Sequence, residues 1–86
     1  MKTFPLIISS PSGELFRNQA VKISLRGVEG DLAVMAGHTP FITTVKPCDC
    51  TVFLEDGTTK IGNIENGILN VSREVVTLLS GSFAWK

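Results

Sequence analysis

The sequence predicts an all-β fold, roughly seven to ten short strands forming two small antiparallel sheets face to face, and three observations carry that prediction. Helical periodicity is missing along the chain, whereas short runs rich in Val, Ile, Thr and Phe recur between turn residues. Asp56-Gly57 and Asn66-Gly67 stand between such runs, and Asp-Gly or Asn-Gly in that setting is the strongest short hairpin signal. The 86 residues are 43% hydrophobic and 19% charged, inside the globular range and far from the composition of disorder. One small domain over residues 1–86 is expected, with roughly 8,500 Å² buried on folding.

Taken in order, Phe4 to Ser9 is the first strand, and Pro11-Ser12-Gly13 turns the chain. Glu14 to Arg26 is a long second segment in which Ala20, Ile23 and Leu25 alternate imperfectly with Lys22, Ser24 and Arg26. That imperfection predicts a bulge near Asn18. Gly27 to Pro40 follows as a shaped loop. Gly27, Gly30 and Gly37 supply positive φ, so that Glu29 and Asp31 stand at an exposed tip, and His38 and Pro40 stiffen the re-entry. Phe41 to Lys46 is the next strand, ended by Pro47, which has no N–H for a ladder. Thr51–Leu54 and Thr59–Ile64 flank Glu55-Asp56-Gly57-Thr58 as a hairpin. Ile68–Val71 and Val75–Leu79 add two more antiparallel neighbours. The predicted core is Phe16, Phe41, Phe53, Ile64, Leu69 and Leu78.

Several chemistries are disfavoured. Eight basic and eight acidic side chains cancel, so no net field draws the chain to nucleic acid or an anionic membrane. Tyrosine is absent and the aromatics sit at core-like positions, unlike a stacking platform for bases. Cys48-Asp49-Cys50 puts both sulfurs on one strand face, a poor geometry for a disulfide, so both thiols are expected to be reduced. A zinc site lacks ligands with one histidine. No nucleophile elbow accompanies His38. The acids in Gly27-Val28-Glu29-Gly30 would repel phosphate. No cofactor, metal or catalytic residue is therefore assigned. No apolar run reaches the roughly 20 residues of a membrane-spanning helix, and the N-terminus is too short for a signal peptide before Ser9 and Ser10 interrupt it, so the chain reads as soluble and intracellular.

Gly30-Asp31-Leu32, then Gly37-His38-Thr39-Pro40-Phe41, Lys46-Pro47 and Asn66-Gly67-Ile68-Leu69-Asn70-Val71, in that order and spacing, resemble the epsilon subunit of F-type ATP synthases, called delta in mitochondria. The likeness extends from Ser9-Ser10-Pro11 and Glu14-Leu15-Phe16 to Val75-Val76-Thr77-Leu78-Leu79. Ala36 stands where the family usually has proline, and Cys48 where a glycine usually follows Lys-Pro. The resemblance implies a flattened ten-stranded β-sandwich and a mechanical role as a rotor-stalk subunit at the cytoplasmic face of the energy-transducing membrane. That subunit grips the gamma subunit on one side and the c-ring on the other. It implies c-ring contact through Glu29, Gly30 and Asp31, and gamma contact through Ser10, His38 and Thr43. Family members commonly continue into a C-terminal helical hairpin that carries ATP sensing and inhibition of hydrolysis. This sequence stops at Lys86, so neither activity is expected of these residues. A free-standing β-sandwich ligand module is the alternative, and it would show a deep apolar pocket instead of a flat two-sided surface.

Overall fold

The computed structural model describes residues 2–86, and among them every regular element is a strand. The nine are β1 (Phe4–Ser10), β2 (Gly13–Gly27), β3 (Gly30–Met35), β4 (Phe41–Val45), β5 (Cys48–Leu54), β6 (Thr59–Ile64), β7 (Gly67–Val71), β8 (Val76–Leu79) and β9 (Ala84–Trp85). They form one hydrogen-bonded network in the order β1-β8-β7-β4-β2-β5-β6-β9, with β3 and β1 also paired to β2. The fold is the predicted all-β sandwich. One layer holds β4, β7, β8, β1 and the first half of β2. The other holds β3, the second half of β2, β5, β6 and β9.

β2 makes this possible because its 15 residues serve both layers. Its first half pairs with β1 through Phe4↔Ala20 to Ser10↔Gly13, and its second half with β3 through Lys22↔Met35 to Gly27↔Gly30. The bend is a bulge between Ala20 and Lys22 on the β5 side, with a second irregularity at Ile8/Ser9, and not at Asn18. An extra residue there breaks the alternation, which is why Ala20 is out of phase with Ile23 and Leu25.

Alternation along each strand fills the space between the layers. Phe4, Leu6 and Ile8 of β1, Ile23 and Leu25 of β2, Val34 of β3, Cys50 and Val52 of β5, Ile64 of β6, Leu69 and Val71 of β7 and Val76 and Leu78 of β8 are all buried. The accessible surface of 5059 Å² is what a chain of this mass leaves when folded, about 5,000 Å².

The structure corrects five further expectations. The sheets are not wholly antiparallel, because β1 runs parallel to β8 while all other pairs among the described residues are antiparallel. The predicted loop from Gly27 to Pro40 contains β3, whose Leu32 and Val34 alternate inward against Leu25 and Ile23 of β2. Gly27 does not adopt positive φ as Gly30 and Gly37 do. It is small because a β-carbon there would stand 2.8 Å from Leu32 Cδ2. After Asn66-Gly67, β7 pairs with β4 and β8, not with β6, so this turn carries the chain from one layer to the other. Of the predicted core, Ile64, Leu69 and Leu78 are buried, Phe16 and Phe53 only half-buried, and Phe41 is 38% exposed because it sits at an open end of the sandwich.

Candidate functional site

The β2–β3 hairpin turns through Val28 and Glu29 between the paired Gly27 and Gly30. Gly30 takes φ 122°, a conformation open to glycine but rarely to other residues. The turn is anchored rather than loose, because Val28 N–H donates to the Thr44 carbonyl at 3.2 Å. Val28, Glu29, Gly30 and Asp31 are all exposed. Asp31 accepts a hydrogen bond from Arg26 Nε at 2.8 Å, with side-chain exposures of 79% and 56%. The pair keeps the Arg26 guanidinium firmly protonated, chiefly through that hydrogen bond. Glu29 is thus the unpaired acid of the tip among the described residues.

Ser10, His38 and Thr43 do not form one patch. Ser10 ends β1, where its hydroxyl bonds with Ser12 Oγ at 2.9 Å and reaches the Gly13 carbonyl at 3.2 Å. His38 lies beside the other end of that strand. Its ring meets Phe4 edge-on at 5.8 Å, and its Nδ1 is buried without a hydrogen-bond partner among the described residues. Six residue steps of strand separate the two ends, roughly 20 Å. Thr43 turns inward in phase with Val45, and its hydroxyl faces the bare α-carbon of Gly27. Ile42 and Thr44 are the outward residues of that strand.

Between Ser10 and His38 lies a surface not foreseen from the sequence. Strand register aligns Thr44, Ile68, Leu79 and Ser9 in one outward row and Ile42, Asn70, Thr77 and Ile7 in the next. No charged side chain stands among these eight. Ile42 is 70%, Ile68 47% and Leu79 46% exposed. The signal was present in the adjacent apolar pairs Phe41-Ile42, Ile68-Leu69 and Leu78-Leu79, since a strand wet on one face alternates and these do not. The two rows end on β2 at an exposed ion pair, Glu14 opposite Ser9 and Arg17 opposite Ile7, and the other layer carries Lys22, Arg26, Asp31 and Asp49 along its outer side, with Lys86 Nζ 3.1 Å from Asp49 Oδ2.

At the Ser10 end this uncharged face dips into an open cleft of about 540 Å³. Its floor is held by a serine clamp at the layer crossover. Buried Ser80 donates to the Asn66 carbonyl at 2.6 Å, Ser82 Oγ receives the N–H groups of Glu65 and Asn66 at 3.1 and 3.2 Å, and Ser80 N–H donates to the Ser9 carbonyl at 2.9 Å. Gly67 is packed so closely that a β-carbon would stand 2.7 Å from the Leu79 carbonyl oxygen. Tip and cleft share one end of the sandwich, because Thr44 both lines the cleft and accepts from Val28.

Residues 3–86 match the family model described as the beta-sandwich domain of the ATP synthase delta/epsilon chain. Solved structures that share the fold include two from mitochondrial ATP synthases. A chain of the Euglena gracilis mitochondrial ATP synthase (OSCP/F1/c-ring, rotational state 1) superposes with a TM-score of 0.89 at 22% identity, over 96% of this chain and 53% of that one. A chain of the Tetrahymena thermophila mitochondrial ATP synthase central stalk/c-ring gives 0.79 at 9% identity, over 96% and 66%. The 86 residues therefore span about half the length of the Euglena chain.

Proposed function

Because this chain belongs to the family of ATP synthase delta/epsilon β-sandwich domains, we propose that it is a rotor domain of a proton-translocating F-type ATP synthase. In this reading residues 1–86 act as a single domain that couples c-ring rotation to the catalytic head and does no bond-making itself. It holds no cofactor, and it sits peripherally, through the complex, at the cytoplasmic face of the energy-transducing membrane.

The observation that carries the proposal is a rigid body with two chemically different surfaces: an exposed acidic glycine turn, and an uncharged strip across β4, β7, β8 and β1 that is bordered on β2 by the Glu14–Arg17 ion pair. Glu29, Gly30 and Asp31 meet polar loops of the c-ring, where basic or amide groups donate charge-assisted hydrogen bonds to the two carboxylates. The gamma subunit lies along the face bounded by Ser10 and His38. Thr43 faces inward, so its contribution is to pack on Gly27 and hold Ile42 and Thr44 outward. Torque transmission needs stiffness, and nine strands tied into one network, with β2 threading both layers, supply it.

The test is binding to purified gamma subunit. The chain should form a stable complex at micromolar concentrations by size-exclusion chromatography, and failure to co-elute with gamma overturns the assignment.

A further inference from the structure

We propose that the free flank of β3 pairs with β3 of a second copy of this chain, antiparallel about a two-fold axis at Ala33. The inference stands on strand register and goes beyond the rotor assignment, on which it does not depend.

β3 has β2 on one side, and no backbone hydrogen bond reaches its other side among the described residues. The phase of the ladder follows from the hairpin. A two-residue turn makes Gly27↔Gly30 a hydrogen-bonded pair, so Leu25↔Leu32 and Ile23↔Val34 are bonded too. The N–H and carbonyl groups of Asp31, Ala33 and Met35 therefore point away from β2. Arg26, opposite Asp31, fits this phase, since its N–H goes to Cys48 Sγ at 3.3 Å and its carbonyl accepts from Lys46 N–H at 2.9 Å, both away from β3. Leu32 faces the core yet is only half-buried, as a residue on an uncovered flank is.

Open edges are normally blunted by lysine, proline, a bulge or shortness. β9 is two residues long, and the first half of β2, which pairs with β1, carries the Glu14–Arg17 ion pair. β3 runs six residues in unbroken register without lysine or proline, and its single charge is already matched by Arg26. An unpaired ladder is completed by extended backbone, which makes the occupant a strand, and a second copy supplies a matching one by symmetry. With Ala33 opposite the partner's Ala33, Asp31 meets the partner's Met35 and Leu32 meets the partner's Val34. Every outward backbone group of one β3 then faces one of the other, and the apolar row runs on from core to core. Asp31 lies about 10 Å from the partner's Lys22, two strand spacings away and opposite in charge. A slide by one residue would set inward Leu32 against the partner's outward Ala33, so the register is specified.

The experiment is sedimentation velocity of the chain from about 10 µM to about 1 mM, the affinity range of a small interface. The expected result is a monomer–dimer equilibrium. Ala33 is exposed, so Ala33→Lys and Ala33→Glu should fold, and each sets like charges face to face at the axis and should weaken the dimer about fivefold. An equimolar mixture of the two should regain it, because lysine then faces glutamate. Ala84→Lys, which charges the flank of β9, should dimerise like the unaltered chain. Should the charged variants misfold, Ala33→Pro removes an N–H that β2 does not use and should also dissolve the dimer. A monomer up to about 1 mM overturns the proposal. So does a dimer indifferent to both charges at position 33, or a mixture that stays monomeric. A monomer whose Ala33→Lys variant loses affinity for purified gamma would give the flank to a strand of that partner and equally overturn it. Gamma binding by the unaltered chain is a separate measurement, so these failures leave the rotor reading standing.

Discussion

Phe83 occupies the space that a β-carbon on Gly62 would need. The contact lets the closing strand β9 lie against β6, with Gly62 opposite Trp85 and Lys86 N–H donating to the Ile61 carbonyl at 2.9 Å. Phe83 and Trp85 then meet edge-on at 4.8 Å, Trp85 meets Phe16 at 5.5 Å, and Lys60 Nζ lies 4.5 Å from the Trp85 ring centroid. These groups plug one end of the sandwich. Gly62→Ala should displace Phe83 and cost about 1–3 kcal/mol, as overpacking does. The check is a urea midpoint followed by fluorescence of Trp85, the sole tryptophan. Gly81→Ala is the comparison, because a β-carbon there meets only Pro11 Cδ at 3.9 Å and should leave the midpoint level or raised.

Local signals were legible in the sequence, and long-range ones were not. Glu55-Asp56-Gly57-Thr58 makes the predicted hairpin because a two-strand turn depends on adjacent residues alone, and Gly57 takes φ 89°. β3 was hidden by its own turn chemistry, since its inward Leu32 and Val34 are too few to outweigh the flanking Gly and acids. The parallel pairing of β1 with β8 joins residues some seventy positions apart, for which no local pattern exists. Phe41 shows the same limit, because whether a strand-end aromatic is covered depends on what lies across from it. The acidic tip was legible as glycines and acids. The uncharged face was not, although it is written in Ile68-Leu69 and Leu78-Leu79, because only the sheet register places their outward members together.

Cys50 and Cys48 are free thiols on the inner side of one strand, at different depths. Burial pushes the Cys50 thiol up to about 12, with the neighbouring Cys48 adding to the rise. It should therefore be inert to thiol reagents while the protein is folded. Cys48 is half-buried, with its sulfur accepting the Arg26 N–H at 3.3 Å. At pH 8 native protein should label slowly at Cys48 alone, Cys48→Ser should not label, and denatured protein should label at both. Rapid native labelling of Cys48→Ser would contradict the packing of β5.

Acid should loosen the closing strand. Asp49 is held below the usual carboxylate range, chiefly by a hydrogen bond from Asn63 Nδ2 at 3.2 Å and then by Lys86 at 3.1 Å. A carboxylate with a lowered folded pKa contributes stability above its unfolded value of about 3.9, and that contribution disappears as pH falls through the folded value. The melting temperature should hold steady from about pH 7 to 5 and drop below about pH 4. Asp49→Asn removes this titration, so its acid drop should be shallower. An identical acid limb in the variant would mean that the pairing with Asn63 and Lys86 does not persist in solution.

Asp31 and Arg26 make the last prediction. Their ion pair is exposed and screened by solvent, so breaking it should leave the unfolding midpoint almost unchanged. The turn itself rests on backbone contacts, the Gly27↔Gly30 pair and the bond from Val28 to Thr44, which a new side chain at position 31 leaves intact. Asp31→Arg should therefore fold normally while placing two guanidinium groups where one ion pair stood. A charge-assisted hydrogen bond contributes about 1.5–3 kcal/mol, so affinity for isolated c-ring should fall by about tenfold or more. Gamma affinity should change little, because the substituted side chain projects from the tip and not from the Ile42–Leu79 face. Surface plasmon resonance with each partner immobilised in turn separates the two effects. Equal losses on ring and gamma would show that tip and face serve a single partner, and the two-surface arrangement would have to be abandoned.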